Sequence, residues 1–251
     1  MRPARYDEIG RDYARTRRED PRISARILAA LGESRTIGNV GAGAGAYEPA
    51  DRWVLAVEPS DVMAAQRPPG RAPALRADAG ALPLRDGSVD AAMAILTVHH
   101  WEEQRDRGVH ELRRVARGPV VILSYDAEVS GGMWLLADYL PEVAALDRRI
   151  FPTPDQLLSW LGGRARVETV PIPADCADWM LGAFWAHPER VLDAGARAAT
   201  SGFARMAPEV VDRVVTAVGR DLATGEWDRR YGFLRELSEF DAGLRLVVSE
   251  P

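Results

Sequence analysis

Three glycines at alternate positions, Gly41, Gly43 and Gly45, stop an apolar run that begins at Thr36, and later apolar runs end on two acids, Glu58 and Asp78. Glycine tolerates φ > 0 and carries no Cβ, so a loop from Gly41 through Ala42 to Gly45 can turn sharply and leave its backbone open to a ligand. Helix-compatible residues come next. The stretch therefore reads as strand, tight turn and helix, and the N–H groups of a helix start suit a phosphate or carboxylate. Glu58 lies 17 residues beyond Gly41 and can accept two hydrogen bonds from the vicinal hydroxyls of a ribose. Its plainer role is a cap on the next helix, for which Ser60 and Asp61 are better placed. Further on, Thr97-Val-His-His-Trp101 closes another buried run, and histidine is the side chain whose ordinary pKa suits general-base work near neutral pH. If that strand continues, its pleat sends His99 and His100 to opposite faces, so at most one of them meets a substrate. Packing at a strand end is the competing role for both. His110 and His187 fall on expected helices away from that end.

The elements that must position these residues alternate along the chain. Thr36–Val40, Trp53–Val57, residues 74–77, residues 89–95 and residues 119–123 read as strands; residues 21–31, 47–50 and 102–117 read as helices, the first starting on Pro21 and stopping at Gly32. This βαβα order across residues 36–124 argues for an α/β fold with a doubly wound, mostly parallel sheet, whose ligands lie outside the carboxyl ends of the strands. Beyond Tyr125 the pattern changes. Residues 126–150, with Met133, Trp134, Leu135 and Tyr139, and residues 174–226, with Trp179, Met180, Phe184 and Trp185, read as two helical cap insertions. Between them come a crossover helix over residues 153–161 and a sixth strand over residues 166–172, and Leu244–Ser249 is a last strand. The aromatic and Met side chains of the insertions read first as helix-packing core, although a cap must also line an acceptor pocket.

Composition narrows the classes. At 251 residues, with 47% hydrophobic and 27% charged residues, the chain reads as one globular domain with elaborations. A net charge of −5 and a pI of about 5.5, with arginines interleaved among acids, disfavour nucleic acid and anionic membrane and favour a small-molecule partner. Cys176 is the single cysteine, which excludes an internal disulfide and a thiolate-rich metal site and fits a reducing cytoplasm; no metal is expected. No secretory signal pattern and no run long enough to span a bilayer is seen, so the expected location is cytoplasmic.

Gly41-Ala-Gly-Ala-Gly45, Glu58, Asp78-Ala-Gly-Ala-Leu-Pro83, Asp86-Gly-Ser-Val-Asp90 and Thr97-Val-His-His-Trp101 together resemble the class I S-adenosylmethionine-dependent methyltransferases, in their small-molecule branch. The resemblance covers residues 36–125 and implies a Rossmann-like methyltransferase fold and S-adenosylmethionine as cofactor. It implies that Gly41, Ala42, Gly43 and Gly45 lie against the methionine part, that Glu58 with Pro59 holds the ribose, that Asp78 with Ala79 faces the adenine, and that Thr97 lies near the sulfonium. His99 and His100 would then stand beside the methyl group as candidate bases. The opening Tyr6-Asp-Glu-Ile-Gly10 with Tyr13 and Arg17 resembles that branch's lid helix, so residues 1–35 are expected to carry N-terminal lid helices. Asn39 departs from the family, which commonly has an acid two positions before the first glycine; some cofactor affinity should be lost with the charge. The function expected is methyl transfer to an O or N of an apolar or aromatic metabolite. The alternatives are the same fold without catalysis and, because Gly41, Gly43 and Ala46 also satisfy a dinucleotide fingerprint, a nicotinamide-dependent oxidoreductase.

Overall fold

A computed structural model describes residues 17–250. Among them seven strands form one sheet: β1 (Thr36–Val40), β2 (Trp53–Val57), β3 (Ala74–Leu75), β4 (Ala91–Ile95), β5 (Val120–Tyr125), β6 (Ala165–Thr169) and, last in the chain, β9 (Leu244–Ser249). Their spatial order is β3-β2-β1-β4-β5-β9-β6; the first five are mutually parallel, and β9 runs antiparallel to both β5 and β6. A separate two-residue pair joins β7 (Ile172–Pro173) to β8 (Glu239–Phe240). Chain order reverses between β1 and β4, the crevice where an open α/β sheet binds its ligand.

Alternation along β4 shows how the sheet is covered. Ala91 and Met93 face one apolar cluster, Ala92 and Ala94 the other, and all four are buried. Helices α1 (Pro21–Leu31), α2 (Asp61–Ala64), α3 (Arg105–Val115), α4 (Ala127–Ser130), α5 (Pro141–Ile150) and α6 (Pro154–Leu161) follow in chain order. On one face lie α3 and α6. On the other, α1 presents Ile23, Ile27 and Leu31 at four-residue spacing, a stripe that cannot be left in water and so fixes the helix as a core layer. Asp20 caps it by accepting from Arg22 N–H, and Gly32 at φ 55° ends it.

The insertions pack on the α1 face. Trp134 donates to the Trp185 carbonyl at 2.9 Å, Trp185 donates to the Ile172 carbonyl at 3.0 Å, and Trp134 meets Trp227 edge-on at 5.4 Å. These indoles are core. Residues 194–231 add α7 (Ala194–Ala198), α8 (Ser201–Ala204), α9 (Pro208–Ala223) and α10 (Glu226–Tyr231).

Several boundaries differ from expectation. No helix follows the glycine loop: residues 41–52 are turns, and Tyr47 at φ 63° cannot belong to one. Pro49 explains part of this, because a proline pushes the preceding residue out of the helical region. β2 is buried only at its end, Trp53 being 81% exposed near the sheet edge. β3 is two residues rather than four, the sixth strand is split into β6 and β7, and α3 starts at Arg105 after a 3₁₀ turn, Glu102–Gln104. Thr153 and Gln156 form the expected reciprocal cap of α6. No described helix is long and apolar enough to cross a membrane.

Candidate functional site

A cavity of about 900 Å³ opens at the carboxyl ends of β1, β2, β3 and β4, within the size range of small-molecule sites. Gly41, Ala42, Gly43, Glu58, Pro59, Asp78, Ala79 and Thr97 line it, joined by Arg17 and His100. Gly45 and His99 are not among its walls, and Tyr13 lies outside the described residues.

The glycine loop works by conformation. Gly41, Gly43 and Gly45 have φ of 71°, 51° and 90°, and Gly41 and Ala42 both donate to the Val57 carbonyl at 2.8 and 3.0 Å. The missing Cβ atoms, however, point at protein. A Cβ on Gly41 would lie 2.0 Å from Thr97 Oγ1, and one on Gly45 3.2 Å from both Glu48 Oε2 and Arg67 Nη1. Gly41 and Gly45 therefore also admit Thr97 and an ion pair, while the backbone of Gly41, Ala42 and Gly43 lines the cavity.

Glu58 is 7% exposed and tied on both oxygens: Oε2 accepts from Gly43 N–H and Oε1 from Ser60 N–H, each at 2.8 Å. Ser60 itself caps α2, as expected. These two bonds orient the Glu58 carboxylate in the cavity wall. Asp78 is exposed at the rim, while Ala79 is buried.

Asn39 is accompanied by an acid the sequence reading missed. Its Nδ2 donates to Glu48 Oε1 at 2.9 Å, and Glu48, 3% exposed, is gripped by Arg67 at 2.7 and 2.9 Å. The Arg67-paired carboxylate accepts, so Nδ2 must face it, and Asn39 Oδ1 is left buried without a partner in the cavity wall. Three non-glycine residues among those described have positive φ, Tyr47 (63°), Leu96 (51°) and Glu102 (52°), and all three line this cavity. Strain concentrated there marks a site whose surroundings hold it in place.

Beyond β4 the strand stops. Leu96 turns the chain and Val98–His100 is a 3₁₀ turn, so the two histidines are separated by the turn and not by pleat. His100, half-buried, reaches the large cavity; its Nδ1 lies 3.1 Å from Arg205 Nη2. A guanidinium only donates, so Nδ1 accepts and the hydrogen sits on Nε2, which makes His100 a donor there and not a base. His99 turns inward, 6% exposed and stacked on Phe151 at 4.0 Å. Burial first, and then the positive charge of Arg205, hold its pKa well below the usual imidazole range, so it is neutral.

His99 lines a second, inner cavity of about 60 Å³, roughly the room of a few waters. Arg17 and Leu96 wall both cavities and so stand between them. Arg17 is held by Asp178, which also accepts from Tyr47 Oη at 3.1 Å, and Ala177 N–H donates to Asp20 at 3.1 Å. This network fastens the segment before α1 to the loop after β1 and to the second insertion. Among the described residues no cluster of three or more His, Cys, Asp or Glu is placed to hold a metal.

Residues 38–122 match the family model described as a methyltransferase domain. A structure from Anabaena variabilis, assigned to a methyltransferase of an antibiotic biosynthesis pathway, is 32% identical, with a TM-score of 0.87 over 94% of this chain and 99% of that one. A S-adenosylmethionine-dependent methyltransferase from Thermotoga maritima shares the fold at 15% identity, with a TM-score of 0.53 over 98% and 97% of the two chains. So does phosphoethanolamine N-methyltransferase 2 of Haemonchus contortus in complex with S-adenosyl-L-methionine, at 15% identity and a TM-score of 0.54 over 91% of this chain and 52% of that one. No curated protein sequence matches the chain.

Proposed function

Because the chain belongs to the S-adenosylmethionine-dependent methyltransferases and takes S-adenosylmethionine as cofactor, we propose that it methylates an O or N of a small apolar or aromatic molecule held in the inner cavity. This membership replaces the nicotinamide alternative. The observation that carries the finer reading is the pair of cavities sharing Arg17 and Leu96, one large, the other small and walled by Met133, Leu136, Phe151 and Met180. Donor and acceptor would meet at that partition.

The residues fit the cofactor. Asn39 Oδ1 offers the buried acceptor that an ammonium group needs, and Glu58, held by two amides, is turned for ribose hydroxyls. Glu48 behind Asn39 fixes which way the amide faces, but its charge is balanced by Arg67, so the acceptor offered is a neutral one. Asp78 and Ala79 are left for the adenine, Gly41 to Gly43 and Pro59 for the remaining edge, and Thr97 beside Gly41 for the reacting end. Gly45 acts from outside the wall. Bound there, S-adenosylmethionine supplies a methyl group already activated by its sulfonium. The chain then has to align the acceptor, keep out water and take a proton. Of the two histidines, we assign the proton to His99, which faces the acceptor cavity with a bare Nδ1, while His100 positions Arg205.

Calorimetry with S-adenosylmethionine, its demethylated product and NAD tests the cofactor; binding of NAD alone would sink the reading. Labelled cofactor with a panel of phenols, amines and carboxylates tests the acceptor. His99→Gln should lower turnover about 10²–10⁴-fold with cofactor affinity unchanged, and His100→Gln should cost less. Equal losses, or a loss of cofactor affinity and thermal stability in place of turnover, would return both histidines to packing.

A further inference from the structure

The inner cavity is polar in a way that the methyl donor does not use. Ser130 and His99 are 5% and 6% exposed, yet Ser130 Oγ and His99 Nδ1 have no hydrogen-bond partner. A polar group buried without a partner is costly, so their presence in one cavity wall calls for a ligand that satisfies them. The Asp147 side chain of α5 faces the same space, and among the described residues the charge acting appreciably on it is that of Arg205. Tyr125 Oη closes the cavity next to Gly182, where a Cβ would lie 2.4 Å from the hydroxyl.

Shape and charge limit what can enter. The walls between these groups are Leu96, Met133, Leu136, Phe151, Met180 and Leu181, a lining of flexible thioethers and one aromatic face that suits a flat ring. At about 60 Å³ the space is well below the ~150 Å³ of a cavity that takes benzene, so a single ring enters only where the flexible Met133 and Met180 side chains give way. Two guanidiniums, Arg17 in the wall and Arg205 within reach of Asp147, oppose a cation, while a single carboxyl beside a neutral imidazole and the hydroxyls of Ser130, Tyr125, Thr200 and Ser201 can accept from and donate to a neutral molecule.

Resting on the reading of this cavity as the acceptor site, we propose that it takes a single-ring phenol whose hydroxyls bond the Asp147 carboxylate, the Ser130 hydroxyl and His99 Nδ1. The acceptor atom is then a phenolic oxygen, and Asp147 and Ser130 are specificity residues that separate it from ethers and ammonium ions. Of the titratable groups in the cavity wall, Arg17 is cationic at any working pH, Tyr125 is held neutral by burial and His99 is held neutral below its usual range. Asp147, raised by burial to about 7, is the one that changes charge near neutral pH. A phenol donates to the ionised carboxylate, so its affinity should rise as pH rises through about 7.

The test uses the full chain saturated with S-adenosylhomocysteine and three probes, catechol, 1,2-dimethoxybenzene and benzylamine, by ligand-observed NMR and calorimetry. At pH 8 catechol should bind about tenfold or more tighter than either other probe, the scale on which a site that hydrogen-bonds a hydroxyl rejects its lack. Asp147→Asn and Ser130→Ala should each weaken catechol about 5–20-fold, leave S-adenosylhomocysteine affinity unchanged, and in Asp147→Asn remove the rise with pH. Catechol binding that is absent, or no tighter than that of the ether or amine, overturns the proposal. So does an Asp147→Asn variant that keeps both affinity and pH slope. Failure of S-adenosylhomocysteine itself to bind would instead strike the cofactor reading, and its retention by each variant shows that the variant is folded.

Discussion

The two cavities are walled by different kinds of chain. The outer one, Arg17 apart, is built between residues 39 and 104 by the loops that leave β1, β2, β3 and β4, and its buried polar groups are held in place: Glu58 by two backbone amides, and Asn39 by Glu48, which Arg67 grips from behind the wall. The inner one gathers His99 from the turn after β4, Tyr125 from β5, Ser130 from α4, Asp147 from α5 and a stretch from residue 180 to 202, and leaves several polar atoms unmatched. A site whose polar groups are already oriented binds without reorganising, as suits a cofactor used in every cycle. Groups left unmatched in a low dielectric discriminate strongly among ligands, because a wrong ligand leaves the cost in place.

The largest expected effect breaks the outer cavity at its turn. Gly41→Ala places a Cβ 2.0 Å from Thr97 Oγ1 at φ 71°, so both clash and backbone strain apply. The variant should lose about 2–4 kcal/mol in urea unfolding and bind S-adenosylhomocysteine poorly. Adding Thr97→Gly should recover the clash and not the strain, a partial rescue visible in a double-mutant cycle. A Gly41→Ala protein within about 0.5 kcal/mol of the parent would show that the turn is not fixed by that approach.

Next in size is Glu58→Ala, expected to weaken cofactor binding by about 1.5–3 kcal/mol, the worth of hydrogen bonds to a charged group. Unchanged affinity in calorimetry would mean that Glu58 serves only the Gly43 and Ser60 amides. The inner cavity should not notice: catechol affinity at saturating cofactor ought to be the same in Glu58→Ala and the parent.

How far the sequence could be read follows the same division. The parallel core, the switch point and most of the outer wall were legible because strand, loop and acid recur within some sixty residues, and local chemistry dictates local form. Glu48 was missed because residues 47–50 read as helix; Pro49, which disfavours helical geometry in the residue before it, was the available signal. Thr97 was placed near the reacting end, but its contact with Gly41 joins positions 56 residues apart and has no mark in composition. Asp147 was unreadable for a different reason. Followed by Arg148 and Arg149 on an amphipathic helix, it looks like one more solvated charge, and only the packing of α5 against the second insertion desolvates it.

That desolvation gives the smallest effect and the sharpest contrast. Burial raises the folded-state pKa of Asp147 from the ordinary 3.8 to about 7. Between pH 4 and 7 the unfolded chain therefore gives up this proton while the folded chain keeps it, and stability falls by at most about 1.4 kcal/mol per pH unit, less here because the half-buried side chain is partly screened. Above pH 7 the loss is complete and constant. Asp147→Asn removes the titration, so its melting temperature relative to the parent should climb from pH 4.5 to 7 and then level off. An offset equal at every pH would show that the carboxyl does not titrate in this range and that the inner cavity is as well satisfied as the outer one. Saturating catechol should shrink the offset at pH 8, since it stabilises the ionised parent and not the variant.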